Sequence, residues 1–223
     1  DPSFKEALNK FKDNYITKIL VLPLYPQAAS PTTSSSLDEV FNELKDWPWV
    51  PSLRFTSGYH DHKKYISALS GSIEEHFQVN GKPEKLLFSF HGMPKRYLEE
   101  GDPYYCFCHK TARLVAEDLA LNKDDYDLCF QSRFGTEVWL QPYTDDVLKL
   151  YAREGIKNVA VISPGFSVDC LETLEEIEIQ YKELFLEIGG ENFSYISCLN
   201  DSEDHISLIT DLIDSETKGW KNV

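Results

Sequence analysis

Positive charge is scarce in this chain: 22 Lys and Arg stand against 37 Asp and Glu, giving a net charge of -15. Such a surface repels phosphate backbones, so no nucleic-acid partner is expected. Long apolar runs are missing too. Stretches such as Ile19 to Leu24 and Val159 to Ile162 fall far short of the ~20 residues that cross a bilayer, so no transmembrane segment is expected. There is no low-complexity tract, no fixed-period repeat of the kind that builds a solenoid, and no Gly-rich phosphate fingerprint. Cysteine is sparse and odd in number: Cys106, Cys108, Cys129, Cys170 and Cys198. With no secretory leader in front of them, a reducing, cytoplasmic setting is expected.

At 223 residues the chain is long enough to bury a real core without disulfide or metal staples, as one large domain or two modest ones. It opens at Asp1 with no initiator Met, and we expect a fragment of a longer protein. Phe4, Ala7, Leu8 and Phe11 recur at helical spacing and lead into a short apolar strand, Ile19 to Leu24. The alternation continues. Ser35-Ser36-Leu37-Asp38 resembles a capping box opening a helix; Leu53 to Thr56 reads as a strand and Tyr65 to Phe77 as a helix. Strands follow at Lys85 to Phe90, Leu128 to Gln131, Asn158 to Ile162 and Phe193 to Ser197. Helices are expected at Thr111 to Leu121, Asp145 to Arg153, in one long run from about Asp169 to Ile188, and from Glu203 onward. Strands alternating with helices of this length imply parallel pairing through right-handed crossovers, with helices on both faces of each sheet, so the fold class is α/β. The polar stretch Gln78 to Gly81 followed by Lys82-Pro83 is the best candidate boundary.

Ligands of open α/β sheets bind beyond the carboxyl ends of the strands, so the loops there hold the candidates. Ser30-Pro31-Thr32-Thr33-Ser34-Ser35-Ser36 forms a hydroxyl-rich turn; its backbone N–H groups suit either plain helix capping or an anion. His91 ends the strand through Phe90, beside Gly92, which could let a ligand approach the backbone. After the next strand, Arg133 could pair with a carboxylate, and Trp139 offers a flat ligand a broad apolar face or else plugs the core. Pro164-Gly165 ends the following strand, and Glu172 and Glu176 lie four residues apart, on one face of a helix. They point to metal binding or proton movement, against an acidic first turn that merely suits the helix dipole.

The motifs Leu-Pro-Leu-Tyr-Pro-Gln at 22–27, Ser-Phe-His-Gly-Met-Pro at 89–94, Phe-Gln-Ser-Arg-Phe-Gly at 130–135 and Pro-Gly-Phe-Ser-Val-Asp-Cys-Leu-Glu-Thr-Leu-Glu-Glu at 164–176 together resemble the ferrochelatase family, in its proteobacterial form. The family's opening βαβ portion is absent. The resemblance implies two Rossmann-like parallel-sheet domains, the class II chelatase architecture, with the first incomplete. It divides the chain into 1–82, 83–200 and a C-terminal helix, 201–223, that returns to the first domain. It implies insertion of ferrous iron into protoporphyrin IX to form protohaem. His91 and Glu172 would be catalytic; Tyr25, Trp139 and Arg133 would bind substrate, and His91, Glu172 and Glu176 would contact the metal. Gln180 stands one turn on, where several members carry an acid, and Cys170 stands where animal members have His.

Ser30 occupies the place of a cluster-binding cysteine of animal members, and no cysteine follows Cys198. Cys106-Phe107-Cys108 with distant Cys129 makes an incomplete four-cysteine site, so no iron–sulfur cluster or other tightly bound cofactor is expected. The rival readings are a sirohydrochlorin or precorrin chelatase, against which the Tyr-Pro-Gln and Gln-Ser-Arg-Phe-Gly motifs argue, and an inactive tetrapyrrole-binding fragment.

Overall fold

A computed structural model describes residues 2–220. Helix α1 (Phe4–Asp13) begins with a capping box: Ser3 Oγ accepts from the Glu6 N–H at 3.2 Å, and the Glu6 carboxylate accepts from the Ser3 N–H at 2.9 Å. Strand β1 (Lys18–Val21) follows. A π-helical turn (Ser30–Ser34) runs directly into α2 (Ser35–Leu44), so the expected capping box at Ser35 lies inside a helical segment and caps nothing. Strand β2 (Ser52–Phe55) pairs with β1 in parallel, Ile19 opposite Leu53. Leu8, Ile19 and Val40 form the small core that joins α1 and α2 to this sheet.

Helix α3 (Lys63–Asn80) leads into β3 (Lys85–His91). After β3 come α4 (Lys95–Glu99), α5 (Tyr104–Asp118), β4 (Tyr126–Gln131), α6 (Thr144–Glu154) and β5 (Asn158–Ile162). The helix expected from 169 to 188 is three pieces: α7 (Leu171–Leu174), a π-helical segment (Glu176–Tyr181) and α8 (Lys182–Glu187). In the π segment the Gln180 N–H reaches the carbonyl of Glu175, a spacing of five residues. Strand β6 (Asn192–Ile196) and α9 (Glu203–Glu216) complete the order.

The larger sheet is wholly parallel, in the order β4-β3-β5-β6. Its central strands are apolar on both faces because helices cover both. Leu86, Phe88 and Phe90 of β3 point to the α3, α5 and α9 side, packing with Ile73, Val115 and Leu208. Leu87 points the other way, with Val159 and Val161 of β5, to meet Leu148 of α6 and Phe185 of α8. Helix α3 precedes the expected boundary at 82, yet it packs in the core of this sheet. At the end of α9 the Arg54 guanidinium of β2 takes the carbonyls of Glu216 and Lys218 and lies 4.8 Å from the Trp220 ring centre. The expected C-terminal segment thus touches the smaller sheet, and its last residues, 221–223, lie outside the described residues. No described helix is long and apolar enough to cross a membrane.

Candidate active site

In the order β4-β3-β5-β6 the chain leaves β3 towards β4 on one side and returns as β5 on the other. The loops after β3 and β5 therefore part at their carboxyl ends and open a crevice. His91, the last residue of β3, and Glu172, carried by α7 beyond β5, both line it. The loop after β1 closes the opposite side with Tyr25 and Gln27, and the loop after β4 adds Phe134 and Trp139. Together they enclose about 650 Å³, a volume suited to a sizeable organic ligand.

His91 is half-buried, and its Nδ1 lies 2.7 Å from the carbonyl of Gly92. A carbonyl only accepts, so Nδ1 carries the proton and the neutral ring keeps its lone pair on Nε2. The Tyr104 hydroxyl donates to the His91 carbonyl at 2.9 Å, and the Phe166 ring lies 6.2 Å from the imidazole. Glu172 is held below the usual carboxylate range, first by the Cys170 thiol, then by its own backbone N–H and by the field of His91. It is an anion at neutral pH, placed where its charge would stabilise a proton gained by His91.

Trp139 is only 5% exposed, so it is both wall and plug. Its strand-like segment pairs with the loop after β3: Leu140 donates to the Met93 carbonyl and Lys95 to that of Val138, both at 2.9 Å. Gly92 is needed for this packing. A Cβ there would stand 2.5 Å from the Gln131 carbonyl oxygen and 2.9 Å from Trp139 Cε3. Gly92 thus lines the cavity and also admits the indole.

Tyr25, His91, Trp139 and Glu172 are thus brought together, while Arg133 and Glu176 are not among the lining residues. Arg133 pairs with Asp145 at 3.1 Å and lies 3.9 Å from the centre of the Tyr143 ring, so the carboxylate it meets is the protein's own. Glu176 accepts from the Ser132 N–H at 2.8 Å, the Ser132 hydroxyl, Gln131 Nε2 and the Tyr181 hydroxyl. Both its oxygens tie the π segment to the end of β4. At the hydroxyl-rich turn, where capping or an anion were the alternatives, the Ser30 N–H is taken internally: Asp102 accepts it at 2.7 Å and the Tyr104 N–H at 2.9 Å.

Residues not foreseen from the sequence include Gln131, Asp169 and Phe166. Gln131 is buried; its Oε1 accepts from Ser89 at 2.8 Å and its Nε2 donates to the Glu172 carbonyl at 2.7 Å. It fixes α7 to the end of β4. Asp169 accepts from Tyr195 and Asn200 side chains, both at 2.7 Å, and from the Cys198 N–H at 3.1 Å, joining the loops after β5 and β6. A buried amide at a strand's carboxyl end is the one sequence signal that could have flagged Gln131.

The sequence profile described as Ferrochelatase matches residues 1–217. A ferrochelatase of Hydrogenovibrio crunogenus is 51% identical over 220 residues, covering 99% of this chain and 58% of that protein. Ferrochelatase 2 of Shewanella oneidensis is 50% identical over 213 residues, covering 96% and 65% respectively. The chain spans about three-fifths of the length of the curated relatives it matches. Among solved structures, SirB from Bacillus subtilis with Fe3+ superposes with a TM-score of 0.71 at 13% identity, covering 99% of this chain and 80% of that one. That likeness shows the fold: α/β with parallel sheets, in the Rossmann-like chelatase architecture.

Proposed function

The chain belongs to the ferrochelatase family, and from that premise we propose that the protein of which it is part inserts ferrous iron into protoporphyrin IX, with His91 as the proton acceptor. The observation that carries this is the meeting of His91 and Glu172 in one largely apolar cavity. Metallation removes two pyrrole protons, and each needs a base close to neutral pH. With Nδ1 committed to the Gly92 carbonyl, Nε2 is the free acceptor of His91. When it takes a proton, the Glu172 carboxylate stabilises the imidazolium and offers the proton a way onward. Tyr25, Phe166 and Trp139 supply apolar surface for the macrocycle.

Ferrous iron is a substrate here, met by Glu172, since the one free lone pair of His91 serves as the proton acceptor; Glu176, already holding four donors, anchors the π segment. Absence of an iron–sulfur cluster is part of the proposal, supported by the placing of the thiols. Cys108 packs on the α5 side of the larger sheet and Cys129 on the α6 side, so the sheet separates them. Burial pushes both thiols up, Cys129 to about 12, away from the thiolate that a cluster needs. Cytoplasmic location belongs to the same proposal; the division at 82 does not, because α3, which precedes it, shares the core of the larger sheet. The test is an anaerobic metallation assay on the full-length protein with ferrous iron. Protohaem should form from protoporphyrin IX, and a protein that metallates sirohydrochlorin but leaves protoporphyrin untouched overturns the reading.

A further inference from the structure

Gln27 lines the cavity but has no part in the proton transfer above, and its hydrogen bonding is incomplete. The residue is 2% exposed. Its Nε2 donates to Thr111 Oγ1 at 3.0 Å and to the Tyr65 hydroxyl at 3.4 Å, while Oε1 has no partner. Turning the amide over does not repair this. The Thr111 hydroxyl spends its hydrogen on the His60 carbonyl at 2.7 Å, and the Tyr65 hydroxyl spends its own on the Pro164 carbonyl. Both oxygens can only accept at Gln27, so they hold the NH2 towards themselves and turn the carbonyl away.

Oε1 is therefore a fixed acceptor in want of a donor. It lies 3.8 Å from the point where a Cβ on Gly165 would stand. Gly165 also lines the cavity, and the space left by its missing side chain gives onto this oxygen. Leaving a buried acceptor unfilled is costly, so a ligand that brings a donor gains more there than one that does not.

We propose that Gln27 is a specificity-determining residue of this cavity, whose Oε1 accepts a hydrogen bond from a ligand N–H and so favours a tetrapyrrole that keeps its pyrrole protons over the metallated macrocycle that has lost them. This rests on the cavity being a tetrapyrrole site. Metallation removes the donor, so the product leaves Oε1 unfilled again, which weakens its hold relative to the free base.

The test compares dissociation constants of the full-length protein, without iron, for protoporphyrin IX and nickel protoporphyrin IX, followed by quenching of tryptophan fluorescence. Nickel favours square-planar coordination and makes little demand on His91. The wild-type protein should prefer the free base by roughly tenfold, the scale of one hydrogen bond to a buried acceptor. Gln27→Met keeps the length, removes the acceptor and should erase most of that preference. Gly165→Ala should do the same by blocking the approach, because its Cβ would sit 3.6 Å from Phe90 and 3.8 Å from Oε1, contacts the fold accommodates. Should Gln27→Met not fold, the wild-type ratio and Gly165→Ala decide. Equal affinities in the wild type, or a preference that survives in both variants, overturn the role of Gln27. Failure of the wild type to bind either porphyrin overturns the tetrapyrrole reading itself.

Discussion

The two sides of the cavity are built to different standards. The loop after β1 presents Tyr25, Gln27, Pro31 and Thr32, none of them charged, from a two-stranded sheet whose buried apolar core is Leu8, Ile19 and Val40. The loops after β3 and β5 present His91 and Glu172 from a four-stranded sheet covered on both faces. Groups that exchange protons must be held within a fraction of an ångström, whereas an apolar wall works through area and shape. Among the described residues, the reactive side chains stand on the sheet that is covered on both faces.

The strongest way to break this contrast is His91→Ala. General-base catalysis commonly supplies about 100-fold to 10,000-fold, so turnover by the full-length protein at saturating iron and porphyrin should fall on that scale while porphyrin binding largely survives. Near-normal turnover would falsify the division into a reacting side and a binding side.

Next comes the bracing itself. Phe88, fully buried at the centre of β3, should cost about 3–5 kcal/mol of stability on change to Ala; Val40→Ala, in the small core, should cost about 1–3 kcal/mol. Urea denaturation of the two variants measures both, and equal losses would show that the sheets are equally braced.

Glu176→Gln sharpens the comparison within one side. Its four donors would lose a charged acceptor, so the melting temperature should drop, by the equivalent of about 1–3 kcal/mol. Glu172→Gln should leave melting nearly unchanged and lower turnover. The reverse pattern would exchange the roles assigned to these two acids.

Asp169 gives the smallest effect. Burial pushes its carboxyl up, but hydrogen bonds from Asn200, Tyr195 and the Cys198 N–H outweigh that and leave it below the usual carboxylate range. A depressed value in the folded state means that the ion stabilises above its unfolded value, near pH 4, and stops doing so as pH falls through the folded one. Asp169→Asn should thus lower stability at pH 7 by on the order of 1 kcal/mol, after allowing for solvent screening at a half-exposed site, and the gap should close as pH falls below the folded value. A gap of constant size from pH 7 to pH 2 would remove the carboxylate from the account.

Strand β5 was legible to the residue, and α9 begins at Glu203 as its pattern predicts, because apolar periodicity and capping are local signals. Helix α5 begins at Tyr104, seven residues ahead of the expected Thr111. Its first turns, Tyr104, Tyr105 and Phe107, carry aromatics that mask the helical period. The break in the helix expected from 169 to 188 was not legible: Glu, Ile, Leu and Lys are all compatible with an α-helix, and only Glu176 meeting Ser132 across the sheet's end accompanies the π segment. Of the cavity's lining, His91, Glu172 and Trp139 could be read from their places after strands, and Tyr25 only from the family resemblance. Arg133 misled because its partners, Asp145 and Asp146, are near in sequence but become neighbours only once α6 forms. The second duty of Gly92 was not legible, because the indole that packs against it comes from Trp139, forty-seven positions later.

The clasp of Arg54 on the carbonyls of Glu216 and Lys218 joins positions 162 and 164 residues apart. During synthesis the second strand emerges long before its clasp exists. Arg54 therefore stays unengaged until almost the whole of the described chain has left the ribosome, although the pairing of β1 with β2, Lys18 opposite Ser52, closes over a loop no longer than those that close the larger sheet. Of the contacts that Arg54 and its strand make, the clasp is thus the last to form, tying a strand made early to a helix made late.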